Sequence, residues 1–442
     1  MEIPERIFTM DQTHIPMPKV ESGSGEHARA TERQNAEASV PEISTSGDLR
    51  KLPNGLRVAG KLLLATFCGV TFGFTVYCIL LSALSEKAAV WRDFTHYWIA
   101  GQQVASHSNP YDLEALTRIA HAAGLPGSLD INYVYVRNPP WALPLLYPLG
   151  FVGLQAASIA WAVLLLVCLM GSVHMLWVMH GRPRNDRILL GYSFGPALIC
   201  LQGGQPTILA LFGLVLFLRL HRTRPYLAGI SLWLCMLKPH LFLPFGVVLL
   251  AWIIVSRSYK ILIAATASIA ASCAITFLIV PTAWSHYAEM MHNRPLTVAC
   301  LSVLLRLWIW KDAVWLEYVP SVLGCVWGLA YFWPRRLTWD WMKDGSLLML
   351  VSLLTAPYSF LYDQALALPA LLQGAFVTSS RSLLRTLAFL SALVEVGLIG
   401  LLWSPKALLI WTLWSSPAWL VWYLCTTRIK GPQVERIRSN AA

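Results

Sequence analysis

Apolar residues run in long blocks along this chain, and short clusters of arginine and lysine separate the blocks. Residues 62–85 and 188–218 carry no charge and exceed the roughly 20 residues that a helix needs to cross a bilayer. Basic residues gather at Arg50/Lys51/Arg57/Lys61, Arg182/Arg184/Arg187, Arg219/Arg222/Arg224, Arg257/Lys260, Arg335/Arg336/Lys343, Arg381/Arg385 and Arg428/Lys430. Loops rich in such residues stay on the cytoplasmic side of a membrane. If every cluster is cytoplasmic, the chain crosses an even number of times between neighbours. Residues 62–84 then exit and 155–179 return. The blocks 188–218, 226–255, 346–377 and 386–427 become hairpins, with turns at Gly203-Gly204-Gln205-Pro206, Lys238-Pro239-His240, 357–363 and Ser404-Pro405-Lys406. Residues 261–280 exit and 315–333 return. The pattern predicts an all-α polytopic membrane protein with about twelve crossings and both termini inside.

Several hairpin arms hold only about 15 residues, or roughly 22 Å of helix, against a hydrocarbon core of roughly 30 Å. Their turns are therefore expected below the outer surface. Polar, irregular backbone is tolerated at that depth only where protein or trapped water covers it. The turns carrying Gln205, Lys238, Tyr358 and Asp363 then line a polar chamber open to the outside. Residues 141–152 are too short to span and read as re-entrant.

Composition agrees. Of 442 residues, 56% are hydrophobic and 13% charged, against about 25% charged in a soluble domain. The mean hydropathy is +0.55. The formal charge of +11 sits in loop clusters, which argues for membrane topology and against a nucleic-acid partner. Nine cysteines lie mostly within apolar segments without CxxC spacing, so neither a disulfide framework nor a metal site is expected. Residues 1–57 are polar and read as a disordered cytoplasmic tail. The membrane domain is expected over 58–427, with a second tail over 428–442.

Two long segments, 86–139 and 281–312, fall on the outer side in this topology, and they hold the candidate chemistry. The first reads Trp91-Arg92-Asp93-Phe94-Thr95-His96-Tyr97-Trp98, a carboxylate among aromatics beside a membrane helix. Residues 94–106 and 113–123 have helical spacing with mixed faces, as expected of interfacial helices. Asp112, after Asn109-Pro110-Tyr111, reads as a helix N-cap. Asp93 has three readings: a cap for the helix starting at Phe94, a partner for Arg92, or a general base. Lys238 lies between apolar arms, where a cation marks function or an ion pair, either with a phosphate or with a carboxylate such as Asp363. Arg306 follows the apolar stretch 301–305 and either snorkels to the interface or meets phosphate. Arg294 is a second phosphate candidate, favoured over His292 by its bidentate reach. Gln205, Tyr362 and Asp363 could contact a sugar or satisfy their own turns. Trp91, Trp98 and Trp141 could stack on a sugar or flank a prenyl chain. No DxD pair stands in the first outer segment, so neither a metal nor another cofactor is expected.

Read together, these motifs resemble glycosyltransferase family 87, which includes a mannosyltransferase using polyprenol-phosphate mannose. The matching pieces are Asp93-Phe94 with Tyr97-Trp98, Asn109-Pro110-Tyr111-Asp112, Pro139-Pro140 with Pro148, Gly204-Gln205, Lys238-Pro239, Pro357-Tyr358-Ser359 and Tyr362-Asp363. Their order and spacing span residues 58–426. The resemblance implies a GT-C fold and a hexosyltransferase that moves a sugar, mannose foremost, from a polyprenyl-phosphate donor to a lipid or glycan acceptor. It places the reaction on the extracytoplasmic face of the inner (plasma) membrane, with Asp93 as catalytic base. Direct attack by the acceptor hydroxyl at the anomeric carbon inverts its configuration. Lys238, Arg306 and Arg294 are then the candidates for the donor phosphate, and Gln205, Tyr97, His96, Tyr362 and Asp363 those for substrate. Some relatives carry a histidine near Tyr362, which is absent here. A transporter or flippase of a lipid-linked saccharide is the alternative, since it also needs a polar chamber among broken helices.

Overall fold

The computed structural model describes residues 54–84, 93–124, 136–293, 300–403 and 413–428, and among them every regular element is helical. In chain order the main helices are α1 (Asn54–Leu84), α2 (Phe94–Ala105), α3 (Leu113–Ala122), α4 (Leu154–Met179), α5 (Gly195–Gly203), α6 (Thr207–Leu220), α7 (Pro225–Cys235) and α8 (Leu243–Ser256). They continue with α9 (Tyr259–Ile279), α10 (Ala283–Asn293), α11 (Leu301–Ile309), α12 (Val319–Phe332), α13 (Asp344–Thr355), α14 (Leu368–Val377), α15 (Arg381–Trp403) and α16 (Ser415–Arg428). Nearly all of the 1–57 tail, Trp91, Arg92, Arg294, the Ser404–Lys406 turn and most of the 428–442 tail lie outside the described residues.

Among the described residues, three helices are long and apolar enough to cross a membrane: Leu154–Met179, Pro239–Ser256 and Tyr259–Ile279. Each is apolar around its whole circumference, the mark of a helix surrounded by protein or lipid on every side. Other apolar stretches are shorter, among them Thr207–Leu220, Pro225–Cys235 and Asp344–Thr355. The short arms follow from the turns. Gly204 closes α5 in a left-handed conformation at φ 74°, which costs glycine little, and Pro206 then starts α6. Pro239 likewise opens a 3-10 turn over Pro239–Phe242 that leads from α7 to α8. Another 3-10 segment, Leu361–Ala367, joins α13 to α14.

Close packing of small residues holds these arms together. A side chain at Gly213 of α6 would meet the Ser231 carbonyl of α7 at 2.5 Å. One at Gly229 of α7 would run into the Ile261 carbonyl of α9. Backbones approach this closely in membrane bundles only at small residues. At the other end of α6, Phe217 packs on Trp341, which is fully buried among Phe245, Trp252 and Trp339 at ring separations of 5.0–5.6 Å. Ten residues of helix, roughly 15 Å, separate this aromatic knot from the polar turns at the start of α6.

The stretch 141–152 is a chain of short turns, Pro140–Ala142, Leu143–Leu146 and Tyr147–Phe151. Its backbone is satisfied by side chains of neighbouring helices. Gln102 donates to the Gly150 carbonyl at 2.7 Å, Thr276 to Pro140 at 2.8 Å and Ser272 to Trp141 at 2.7 Å. In return Asn138 and Trp141 donate to the Leu237 and Met236 carbonyls at the end of α7, at 2.9 and 2.7 Å. These bonds fix the first long segment against the turn that carries Lys238.

Candidate functional site

Three turns distant in sequence converge with the start of α2, and Gln205 is the hinge between them. Its Nε2 donates to Asp93 Oδ2 at 2.8 Å. Its Oε1 accepts from the Tyr97 hydroxyl at 2.8 Å and from Lys238 Nζ at 3.3 Å. One amide end must give and the other must take, so a carboxylate on one side and two donors on the other set its orientation. Trp161 steadies the turn itself by donating to the Gly204 carbonyl at 2.7 Å, and its ring packs on those of Phe94 and Tyr97.

Asp93 stands at the N-cap position of α2 yet does not cap it. Its backbone is helical, at φ −57° and ψ −23°, and its side chain accepts no bond from the helix amides. The carboxylate turns to Gln205 and lies over Gly203, where an added Cβ would come within 3.4 Å of Oδ2. Asp112 shows the contrast: extended at φ −75° and ψ 109°, it accepts from the amides of Glu114 and Ala115 and caps α3 as expected. His96 lies one turn beyond Asp93 and is partly buried. Burial pushes its imidazole below the usual histidine range, opposed by the Asp93 carboxylate, which favours the cation. Tyr97 is buried, and burial with the nearby Asp93 and Asp363 charges raises its phenol well above the ordinary tyrosine value.

Lys238 is buried and paired with Asp363, Nζ to Oδ1 at 2.6 Å. Asp363 is fully buried and also accepts from the Thr207 hydroxyl at 2.7 Å and from the Phe360 amide at 2.9 Å. These contacts, with the one from Lys238 to Gln205, supply the hydrogen bonds that an ion pair needs to remain stable away from water. The Tyr362 ring sits 4.6 Å from Lys238 Nζ, within cation–π distance, and stacks on Phe360. His240 stacks on Tyr358 at 3.8 Å between centroids.

The structure thus brings Asp93, Tyr97, Gln205, Lys238, Tyr362 and Asp363 into one network, with His96 beside it. The expectation that the Gln205 side chain contacts a sugar or satisfies its own turn did not foresee its partners: it bridges Asp93 to Tyr97 and Lys238. Arg306 is placed elsewhere. It is 4% exposed, with Nε 2.7 Å from Glu317 Oε1 and Nη1 donating to the Lys311 carbonyl at 3.1 Å, so it does not snorkel. Thr207, Trp161 and His240 were not foreseen near these residues, and Glu317 was not foreseen as the partner of Arg306. Thr207 reads in sequence as an ordinary helix start, and Glu317 as the edge of an apolar span. Among the described residues no group of three or more His, Cys, Asp or Glu side chains is placed to hold a metal ion.

Chemically, the network offers a carboxylate anchored through one oxygen, a cation held beside it, and aromatic rings around both. The family model for glycosyltransferase family 87 matches residues 133–357, just over half of the 442 residues. No curated protein and no solved structure matches the chain.

Proposed function

This chain belongs to glycosyltransferase family 87, and we propose that it transfers a sugar, mannose foremost, from a polyprenyl-phosphate donor to a lipid or glycan acceptor. The reaction is assigned to the extracytoplasmic face of the inner membrane, within a GT-C-like domain over 58–427 that crosses about twelve times. The tails 1–57 and 428–442 are cytoplasmic in this reading, and the segments 86–139 and 281–312 lie outside.

The single observation that supports it best is the state of the Asp93 carboxylate, which is released from its cap position and held by a neutral amide. A general base needs a fixed carboxylate that is not neutralised by a cation, within reach of the hydroxyl it serves. In the proposed reaction the acceptor oxygen bonds to the anomeric carbon while its proton passes to Asp93. The bond from that carbon to the phosphate oxygen breaks, and its electron pair stays on the phosphate. Attack from the face opposite the leaving group inverts the anomeric centre. Lys238 offsets the charge that develops on the phosphate, with Arg294 as a further candidate cation of the second outer segment, whereas Arg306 is already taken up by Glu317. Tyr97, His96, Gln205, Tyr362 and Asp363 border the sugars and hold the two catalytic charges apart.

Purified protein in detergent, given radiolabelled polyprenyl-phosphate mannose and an envelope lipid extract, should form a new labelled glycolipid or glycan. Detergent removes the two compartments that a flippase acts between. Protein that binds the donor yet never forms a new glycosidic bond with any extract or sugar would overturn the transferase reading in favour of transport.

A further inference from the structure

His240 stands two residues after Lys238, in the Pro239–Phe242 turn whose backbone Pro239 stiffens. Its ring lies nearly flat on Tyr358, with planes 24° apart. Stacking fixes the plane of the imidazole and therefore the direction of its nitrogens. Nε2 is buried and meets no polar partner among the described residues. A buried polar atom without a partner is costly, and native structures keep few of them without cause. The charges nearby sharpen the question. Asp93 and Asp363 bring two carboxylates to the network, and Lys238 already lies 2.6 Å from one of them. An arriving phosphate cannot rely on Lys238 alone.

We propose that His240 is a contact for the donor phosphate, its neutral imidazole held in place by Tyr358 and donating the Nε2 hydrogen to a phosphate oxygen. This inference rests on the polyprenyl-phosphate reading above and adds a residue to it. His240 transfers no proton. The acceptor's proton goes to Asp93, and the hydrogen bond from Nε2 strengthens as the leaving oxygen gains charge. The same contact holds the polyprenyl phosphate that remains after transfer, so product binding reports on it without any knowledge of the sugar.

The test is equilibrium binding of undecaprenyl phosphate and of uncharged undecaprenol to purified protein in detergent. His240→Phe keeps a ring to stack on Tyr358 and removes the donor. His240→Gln gives up the ring and keeps an N–H. The parent should prefer the phosphate to the alcohol. His240→Phe should lose about tenfold or more in affinity for the phosphate while its affinity for the alcohol is unchanged, and His240→Gln should recover part of that loss. Unchanged phosphate binding by His240→Phe would overturn the inference and leave the donor reading standing. An equal loss toward phosphate and alcohol would also overturn it, by making His240 a packing residue. A parent protein with no preference for the phosphate would overturn the donor reading itself.

Discussion

The starts of α2 and α3 lie within 20 residues of each other, and each carries an aspartate at the N-cap position. At α3 the extended backbone of Asp112 points its carboxylate back onto the first-turn amides, as a cap requires. At α2 the helical backbone of Asp93 turns the carboxylate away from those amides, and Gln205 receives it. The same residue type at the same position thus caps its helix in one place and is withdrawn from the cap in the other. The difference lies in one backbone torsion and in what stands opposite. Asp112 faces its own helix, whereas Asp93 faces a buried turn from more than 100 residues away. A polar side chain withdrawn from its local role and held by a distant one is the physical sign of a site.

The largest expected effect is at Asp93. Asp93→Asn keeps the shape, and its carbonyl oxygen can still accept from Gln205, so folding should be unchanged. It removes the base, which typically contributes 10²–10⁴-fold to rate. Transfer by the purified variant should fall by roughly that factor, with an unaltered thermal midpoint and unaltered donor binding. Near-normal transfer would erase the contrast between the two aspartates. The second effect is one of stability alone. Asp112→Ala should cost about 0.5–2 kcal/mol through loss of the α3 cap, and Asp112→Asn should cost almost nothing. Both should keep parental transfer rates per folded molecule. If Asp112→Ala abolished transfer without lowering the thermal midpoint, Asp112 would not be a cap only.

The pairing of each aspartate with its role was only partly legible in the sequence. The turns at Gly204, Lys238 and Pro357–Asp363 followed from apolar blocks broken by glycine, proline and polar residues, because such breaks are local. Asp112 as a cap was equally local. Whether Asp93 capped α2 was left open, since its preference for a cap is the same as that of Asp112 until the backbone is known. The convergence could not be read. Gln205 meets Lys238 across 33 positions, and Lys238 meets Asp363 across 125, so no pattern along the chain connects them. Asp363 had been one of two possible partners for Lys238, the other being a phosphate. Arg306 shows the limit from the other side. An arginine after an apolar stretch usually snorkels, and only the fold brings Glu317 against it.

The smallest effect expected concerns pH, and it probes the region where a cap for α2 would otherwise act. His96 lies on the first turn of α2, and its backbone amide donates to the Asp93 carbonyl at 3.1 Å. Burial lowers its affinity for a proton in the folded protein, with the Asp93 charge opposing only in part. An unfolded histidine titrates near pH 6.5. Above that value neither state binds the proton, and His96 adds nothing to the pH dependence. As pH falls below about 6.5 the unfolded chain takes up a proton that the folded protein refuses, so stability declines until the folded value is passed. Beneath that point both states are protonated and the loss levels off. Parent protein should therefore lose more of its thermal midpoint between pH 7.5 and pH 5.5 than His96→Gln, whose side chain does not titrate. Other groups titrate alike in the two proteins, so the difference isolates His96. Equal acid sensitivity of the two proteins in stability would mean that His96 is solvated and that the start of α2 is no drier than that of α3.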